Sequence, residues 1–528
     1  MHGKQLIGYS QSAEGQATFH SQNPKTGEDL PTPIHEATEG EIARACEAAA
    51  NIFSAFRATP AETRATFLEV IADEVEAIGE ELIETVMAET GLPEPRCLGE
   101  RGRATGQARA FATMIRDGSW VDARIDLADP DRAPLPKPDV RSLMEPVGPI
   151  AVFGASNFPL AISVIGADTI AALGAGCPVV VKGHPAHANT CELLAEAVLQ
   201  AAEKCGLPDG VFSLVQGRTH ETGTMLVQHP AIRAAAFTGS VKGGRALMDV
   251  CAARPEPIPF YAEMGSVNPV FILPGALANA EALAQNYLGS LTLGVGQFCT
   301  NPALVFGLES AEFSTFKKAA AEGAAAAAPA TMLHAGIHDA YNKGVDHLKG
   351  LAGTQVAGES STTADAAKAE AAVYVLETDA AAFRDQPDFY EEVFGPVSTV
   401  VNCQSPAQLE EFAAKLDGSL TATIHGTEED LAQYSGLVAA LQSKVGRLIF
   451  NGFPTGIEVC DAMHHGGPYP AASHSYFTSI GTRTVYKFVR PVCYQSWPDA
   501  ALPAELQNAN PRGITRMVES ELTKDAVL

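Results

Sequence analysis

Between Phe67 and Val86 the apolar positions recur every three or four residues: Phe67, Ile71, Val75, Ile78, Leu82, Val86. That spacing predicts one amphipathic helix with a single buried stripe. Thr59-Pro60-Ala61-Glu62 supplies its start, with an N-cap, a proline at the first helical position and a glutamate two further on. Gly91 and Pro93 supply its stop. Residues 39–58 have helical character as well.

After residue 149 the pattern changes. Short apolar runs, "PIAVFG", "PVVVKG", "GVFSLVQG", "AIRAAAFTG" and "PFYAEMG", alternate with segments of helical character, "PLAISVIGADTIAALGAG", "TCELLAEAVLQAAEKCG", "ETGTMLVQHP" and "SVKGGRALMDVCAA". Strands that are apolar on both faces, alternating with helices, predict a parallel sheet covered on both sides. Ligands of such sheets bind at the carboxyl ends of the strands. A second α/β region runs from about 266 to 455 and includes an alanine-rich helix, "FKKAAAEGAAAAA". The Pro-rich stretch at 126–139 reads as a surface wrap or an edge arm. Near the end, "GTRTVYKFVRPVCYQSW" alternates like a strand, and Pro491 within it predicts an edge position or a bend. There is no internal repeat.

At 528 residues the chain is too long for one core, and two or three domains are expected. With 46% hydrophobic and 19% charged residues the composition is that of a globular protein. The net charge of -26 repels phosphate backbones and argues against a nucleic-acid partner. The first twenty residues lack the apolar core of a signal peptide, and no stretch approaches 18 uninterrupted apolar residues. The 10 cysteines form no CxxC pair and no metal-like Cys/His spacing, and the adjacent histidines of "MHH" do not suit one metal site. The expectation is a metal-free, reduced, cytoplasmic protein without a membrane span.

Several residues are candidates for chemistry, each with a plainer alternative. Asn157 in "FGASNFP" follows a strand and precedes a helix predicted to begin at Pro159; its amide either donates into a cleft or caps that helix. Lys182, ending "PVVVK", either meets a ribose or phosphate or is a solvated loop lysine. Gly239 and Gly244 in "FTGSVKGG" permit close backbone approach at a helix start, although the pattern is neither GxGxxG nor a P-loop. Glu263 ends an apolar strand, where desolvation is expected to push its carboxyl up toward a general base; otherwise it is a paired structural carboxylate. Cys299 in "GQFCTNP" follows an apolar helix and the Gly294/Gly296 pair. Nearby backbone amides are expected to favour its thiolate, against the alternative of a small core residue. "EEVFGPV" at 391–397 holds two carboxylates and an aromatic before a Gly-Pro turn, or is an ordinary acidic helix end.

Taken in order, "SNFP", the strand-end lysine, "FTGS", "EMG", "GQFCT" and "EEVFGP" resemble the aldehyde dehydrogenase superfamily over roughly residues 20 to 500. The resemblance implies a Rossmann-like parallel-sheet cofactor domain, an α/β catalytic domain and a small β bridging or oligomerisation arm. The expected boundaries are 1–265 for the first, with arm strands at about 126–146, then 266–457 for the second. Residues 458–528 return to the cofactor domain and add a C-terminal bridging strand. It implies that Cys299 is the nucleophile, that Asn157 and the Cys299 backbone amide hold the oxyanion, and that Glu263 activates the hydrolytic water. It implies that Glu392 and Phe394 hold the nicotinamide ribose and ring, Gly239, Ser240 and Gly244 the pyrophosphate turn, and Lys182 the adenosine ribose.

Departures from the common pattern narrow the expectation. Many NAD-preferring relatives carry a glutamate three residues after the lysine, where this chain has Pro185. A 2′-phosphate would meet no carboxylate there, and Lys182, His184 or Arg218 can pair with it. NADP is therefore expected, with NAD as the weaker alternative. "VKGHPAH", "NGFPTGIEV" and "HGGPYPA" are similar to the branch containing the 2-oxoglutarate semialdehyde (2,5-dioxopentanoate) dehydrogenases and an NADP-dependent fatty aldehyde dehydrogenase. The first gives the expected substrate, although Tyr476 stands where an arginine is expected in close relatives. A fatty or aromatic aldehyde oxidiser is the nearest alternative. A non-redox cysteine acyltransferase or hydrolase is the alternative of another class; it requires a histidine beside Cys299, and none is near in sequence. A homodimer or homotetramer is expected from the resemblance.

Overall fold

A computed structural model describes residues 1–527. Three sheets organise them. In the first, Phe260–Glu263, Ala234–Thr238, Ile150–Phe153, Val179–Lys182 and Phe212–Val215 run parallel in that spatial order, and Gln5–Ile7 and Ser10–Ser12 add an antiparallel N-terminal edge. All four residues of Ile150–Phe153 and of Phe212–Val215 are buried, as strands covered on both faces must be. The chain leaves Ile150–Phe153 toward one side for two strands and returns to its other side for the next two. That reversal opens a crevice at the strand ends.

The second sheet runs Gln355–Glu359, Tyr374–Asp379, Val397–Cys403, Leu304–Leu308, Val270–Ile272, Ser419–His425 and Val445–Phe450, parallel except for the first pair. The third, five-stranded, gathers Val489–Gln495, Val140–Pro146, Arg124–Asp126, Arg516–Val518 and Glu521–Thr523. Pro491 lies opposite Met144 in its edge strand, where a missing amide costs no ladder bond. No helix of the described residues is long and apolar enough to cross a membrane.

Some elements differ from their sequence reading. The stripe from Phe67 to Val86 belongs to two helices, Ala61–Ala77 and Glu80–Thr90, broken at Gly79 with φ +70°. Pro60 stands at the N-cap rather than inside the helix. The segment after Asn157 is a run of turns, and its helix begins only at Ala167, so Asn157 caps nothing. Residues 482–487 form a 3₁₀ helix before the strand Val489–Gln495.

The first and second sheets are stitched together beside the strand Phe260–Glu263. The Met264 amide donates to the Ala471 carbonyl at 2.8 Å, the Ser473 amide to Ala262 at 2.9 Å, and Glu263 forms a bridge with Ala472. The chain past residue 458 thus returns to the strand that carries Glu263.

Candidate active site

Cys299 is placed by a backbone that few sequences adopt. Gly294, Val295 and Gly296 all have positive φ, at 55°, 60° and 66°. A Cβ on Gly296 would lie 2.4 Å from the Gly395 carbonyl carbon, so glycine is required twice over. The Gln297 side chain donates to Gly294 O at 3.2 Å and accepts from the Leu333 amide at 2.9 Å. Asn268, itself at φ +44°, donates to the carbonyls of Cys299 and Asn301, both at 2.9 Å. The loop carrying the thiol is therefore held at both ends.

Asn157 lies in the turn after Ile150–Phe153 and is buried. Its Nδ2 donates to the Gln297 carbonyl at 3.1 Å, which brings it against the cysteine loop. Glu263, 1% exposed, sits at the carboxyl end of Phe260–Glu263. One residue that sequence reasoning passed over joins them. The Nε2 of buried His465 lies 3.0 Å from Glu263 Oε1 and 3.4 Å from Cys299 Sγ. The other oxygen, Glu263 Oε2, is buried without a hydrogen-bond partner.

These contacts set the charges. Burial, together with the negative charges of Glu263 and Glu392, pushes the Cys299 thiol well above its ordinary value. The cysteine rests as a thiol, not as the thiolate that its backbone amides were expected to favour. Burial alone would push Glu263 up, but the contact with His465, with help from Ser479 and Cys299, reverses the direction and holds the carboxyl below its usual value. The expected upward shift is thus corrected by a partner from a distant segment. That histidine also supplies the thiol–imidazole contact that the non-redox alternative demanded. Cys299, Glu263 and His465 offer one ligand atom each within 4.8 Å, close enough for a thiophilic cation. Spacing along the sequence hid this cluster, because its members come from three separate segments.

Two contiguous cavities open from the site. One of about 840 Å³ is walled by Asn157, Glu263, Cys299, Glu392 and Phe394. It shares His184, His220, Thr238, Gly239 and Ser240 with a second, of about 560 Å³, reaching Lys182, Arg218 and Lys242. Ser240 caps the helix Val241–Ala253 by accepting from the Gly243 amide at 3.2 Å, with the helix start at the cavity wall. Gly244 lies off the cavity. A Cβ there would meet Met264 Sδ at 2.6 Å, so it allows the helix to close on the strand end.

The smaller cavity is basic. Its wall has five basic side chains (Lys182, His184, Arg218, His220, Lys242) and no carboxylate. The Lys182 ammonium makes no hydrogen bond or ion pair among the described residues, and burial lowers it to about 8. An unpartnered, half-buried ammonium at a strand end is the donor that an anionic or hydroxylic ligand would meet. His184 differs: burial and the neighbouring His187 and His334 drive its imidazole well down, so it faces the cavity as a neutral ring. Glu392, raised by burial to about 8, packs against Gly265, where a Cβ would come within 2.8 Å of its Oε2.

The profile of the Aldehyde dehydrogenase family matches residues 10–468. The chain is 47% identical over 517 residues to alpha-ketoglutaric semialdehyde dehydrogenase 2 of Azospirillum brasilense, covering 98% of both chains. It is 44% identical over 525 residues to the alpha-ketoglutaric semialdehyde dehydrogenase of Acinetobacter baylyi, covering 99% of both. Among solved structures, the NADP-dependent glyceraldehyde-3-phosphate dehydrogenase of Bacillus halodurans in complex with NADP superposes with a TM-score of 0.79 at 19% identity. That match spans 94% of this chain and 99% of the other, and it shows the shared fold.

Proposed function

The chain belongs to the aldehyde dehydrogenase family, and from that premise we propose that it oxidises 2-oxoglutarate semialdehyde to 2-oxoglutarate, with NADP preferred over NAD. Two nearly full-length relatives bearing that activity in their names support the substrate. The observation that carries the chemistry is the meeting of Cys299, His465 and Glu263 at one end of a cavity whose other end is basic.

The thiol proton has an acceptor at hand in unprotonated His465 Nε2, 3.4 Å away, and once protonated that same nitrogen donates to Glu263 Oε1 at 3.0 Å. As the proton leaves, sulfur bonds to the aldehyde carbon and the carbonyl oxygen becomes an oxyanion. The Asn157 amide and the Cys299 backbone N–H are the donors for it. Lys182, Ser240, Glu392 and Phe394 would hold the dinucleotide, with Arg218 and Lys242 at the 2′-phosphate; when bound it supplies a hydride acceptor. Loss of hydride leaves a thioester on Cys299. The partnerless Glu263 Oε2 is the acceptor for a water proton, and an otherwise unexplained buried oxygen thereby gains a use. Water attacks, the C–S bond breaks, the acid leaves and the thiol regains its proton.

Assembly as a homodimer or homotetramer belongs to the same reading. It is supported by Val489–Gln495, which pairs on one side only; light scattering reads the mass. So does a cytoplasmic setting, suited to ten cysteines that are all free. The test of function is a panel of aldehydes run with each cofactor, followed by reduced-nicotinamide absorbance. The highest kcat/KM should belong to 2,5-dioxopentanoate with NADP. A higher value for pentanal, or for NAD, would overturn the corresponding half.

A further inference from the structure

Two arginines near the reactive thiol have no carboxylate of their own. Arg103 is on the helix Glu94–Asp117, and Arg447 is on the edge strand Val445–Phe450. Among the described residues the Arg103 guanidinium makes no hydrogen bond and no ion pair. Its guanidinium lies over the ring of Phe158, 5.1 Å from the centroid. Phe158 meets Phe298 edge to face at 5.5 Å. These rings are the chain neighbours of Asn157 and Cys299, so Arg103 packs on a ring that flanks the reactive loop.

Arg96 makes the contrast. It lies over the same ring at 4.3 Å, yet it is paired with Glu100 at 3.1 Å and donates to the Asn157 carbonyl at 3.3 Å. The carboxylates facing Arg103 are that same Glu100, which also accepts from the Leu160 and Ala161 amides, and Glu263, engaged with His465. Arg447 spends one nitrogen on the Pro454 carbonyl at 2.7 Å, while its Nε is buried without an acceptor. Burial acts against the charge of both guanidiniums, and both lie within electrostatic reach of Cys299. Arginine does not shed its proton in a protein, so a desolvated guanidinium without an anion costs free energy.

We propose that Arg103, with Arg447, forms a carboxylate-binding subsite that selects aldehydes carrying a carboxylate at the end remote from the carbonyl attacked by Cys299. The subsite rests on the aldehyde-oxidation reading and deepens its substrate half. It also accounts for Tyr476, which is 87% exposed where a cation was expected; the cations come from a helix and a strand elsewhere.

The experiment compares 2,5-dioxopentanoate with pentanal, a neutral aldehyde of equal length. It uses the full-length protein and its Arg103→Met, Arg103→Lys and Arg447→Met variants. In the unmodified protein the ratio of kcat/KM should favour the carboxylated aldehyde. Arg103→Met should lower that ratio by about 10-fold or more through KM, the effect of losing one charge-assisted hydrogen bond; Arg103→Lys should recover part of it, and Arg447→Met should lower it less. A ratio in Arg103→Met within about twofold of the original would overturn the subsite. If the unmodified protein itself prefers pentanal, the substrate reading fails instead. Should Arg103→Met not fold, the unmodified protein decides: glutarate should slow alkylation of Cys299 and pentanamide should not. Equal protection by both would sink the proposal.

Discussion

The two oxygens of Glu263 have different employment. Oε1 meets His465, and Oε2 is buried without a hydrogen-bond partner. Glu263→Gln keeps the shape and removes the basicity. One equivalent of reduced cofactor should appear in a burst, followed by a steady rate lower by about 10²-fold or more, the usual scale of general-base loss; rapid-mix absorbance and mass spectrometry of the acyl protein check it. The same substitution removes a negative charge that raises the Cys299 thiol. A thiol whose value is pushed up loses its proton only at higher pH. Iodoacetamide labelling of the cofactor-free protein should therefore keep rising past the ordinary thiol value of 9.0, and Glu263→Gln should shift that profile to lower pH. Cys299→Ala should abolish both turnover and labelling at this position. At this scale Cys299, Asn157 and Glu263 are legible in the sequence because each sits in a short motif at a loop or strand end. His465, Asn268 and Arg103 are not, because their chemistry exists only through contacts with chain far away. The direction of the Glu263 shift could not be read without His465, 202 residues distant.

Among the elements, the left-handed run at 294–296 decides whether the thiol is in place. A methyl group on Gly296 would enter the Gly395 carbonyl, on the segment that bears Glu392 and Phe394. Gly296→Ala should disturb the cysteine loop and the loop of Glu392 and Phe394 together. Activity should fall by about 10²-fold, since a displacement of an ångström is enough for that, while far-UV circular dichroism stays unchanged; unaltered kinetics would contradict the account. The parallel strands are legible because a strand buried on both faces is apolar throughout, as Ile150–Phe153 is. The break at Gly79 is not, because the apolar stripe keeps its spacing across it. Nor is the absence of a helix at Pro159, where a favourable first-turn proline is overridden by the turns that seat Asn157.

Across the whole molecule, the returning C-terminal segment is anchored by charge as well as by backbone bonds. Lys487, 3% exposed, donates to Asp168 at 2.9 Å, joining the 3₁₀ helix Thr482–Lys487 to the helix Ala167–Ala175. Lys487→Met strands a buried carboxylate, and unfolding should become easier by about 3–5 kcal/mol. Burial already raises the Asp168 carboxyl, and without the lysine it rises further. A group whose folded value is raised binds a proton more readily when folded, so the variant should lose more stability at about pH 8 than at about pH 5. Denaturant melts at the two values measure this. The three-sheet plan is only partly legible, since the strands Arg516–Val518 and Glu521–Thr523 are too short to carry a period. The stitch between Ala262, Met264 and residues 471–473 has a consequence for biosynthesis. A ribosome emits Cys299 long before the histidine beside it and the clamp on the strand that carries Glu263. A nascent polypeptide stopped between Cys299 and His465 carries the thiol without its imidazole neighbour, so competence arrives late in translation and a product terminated there should be silent.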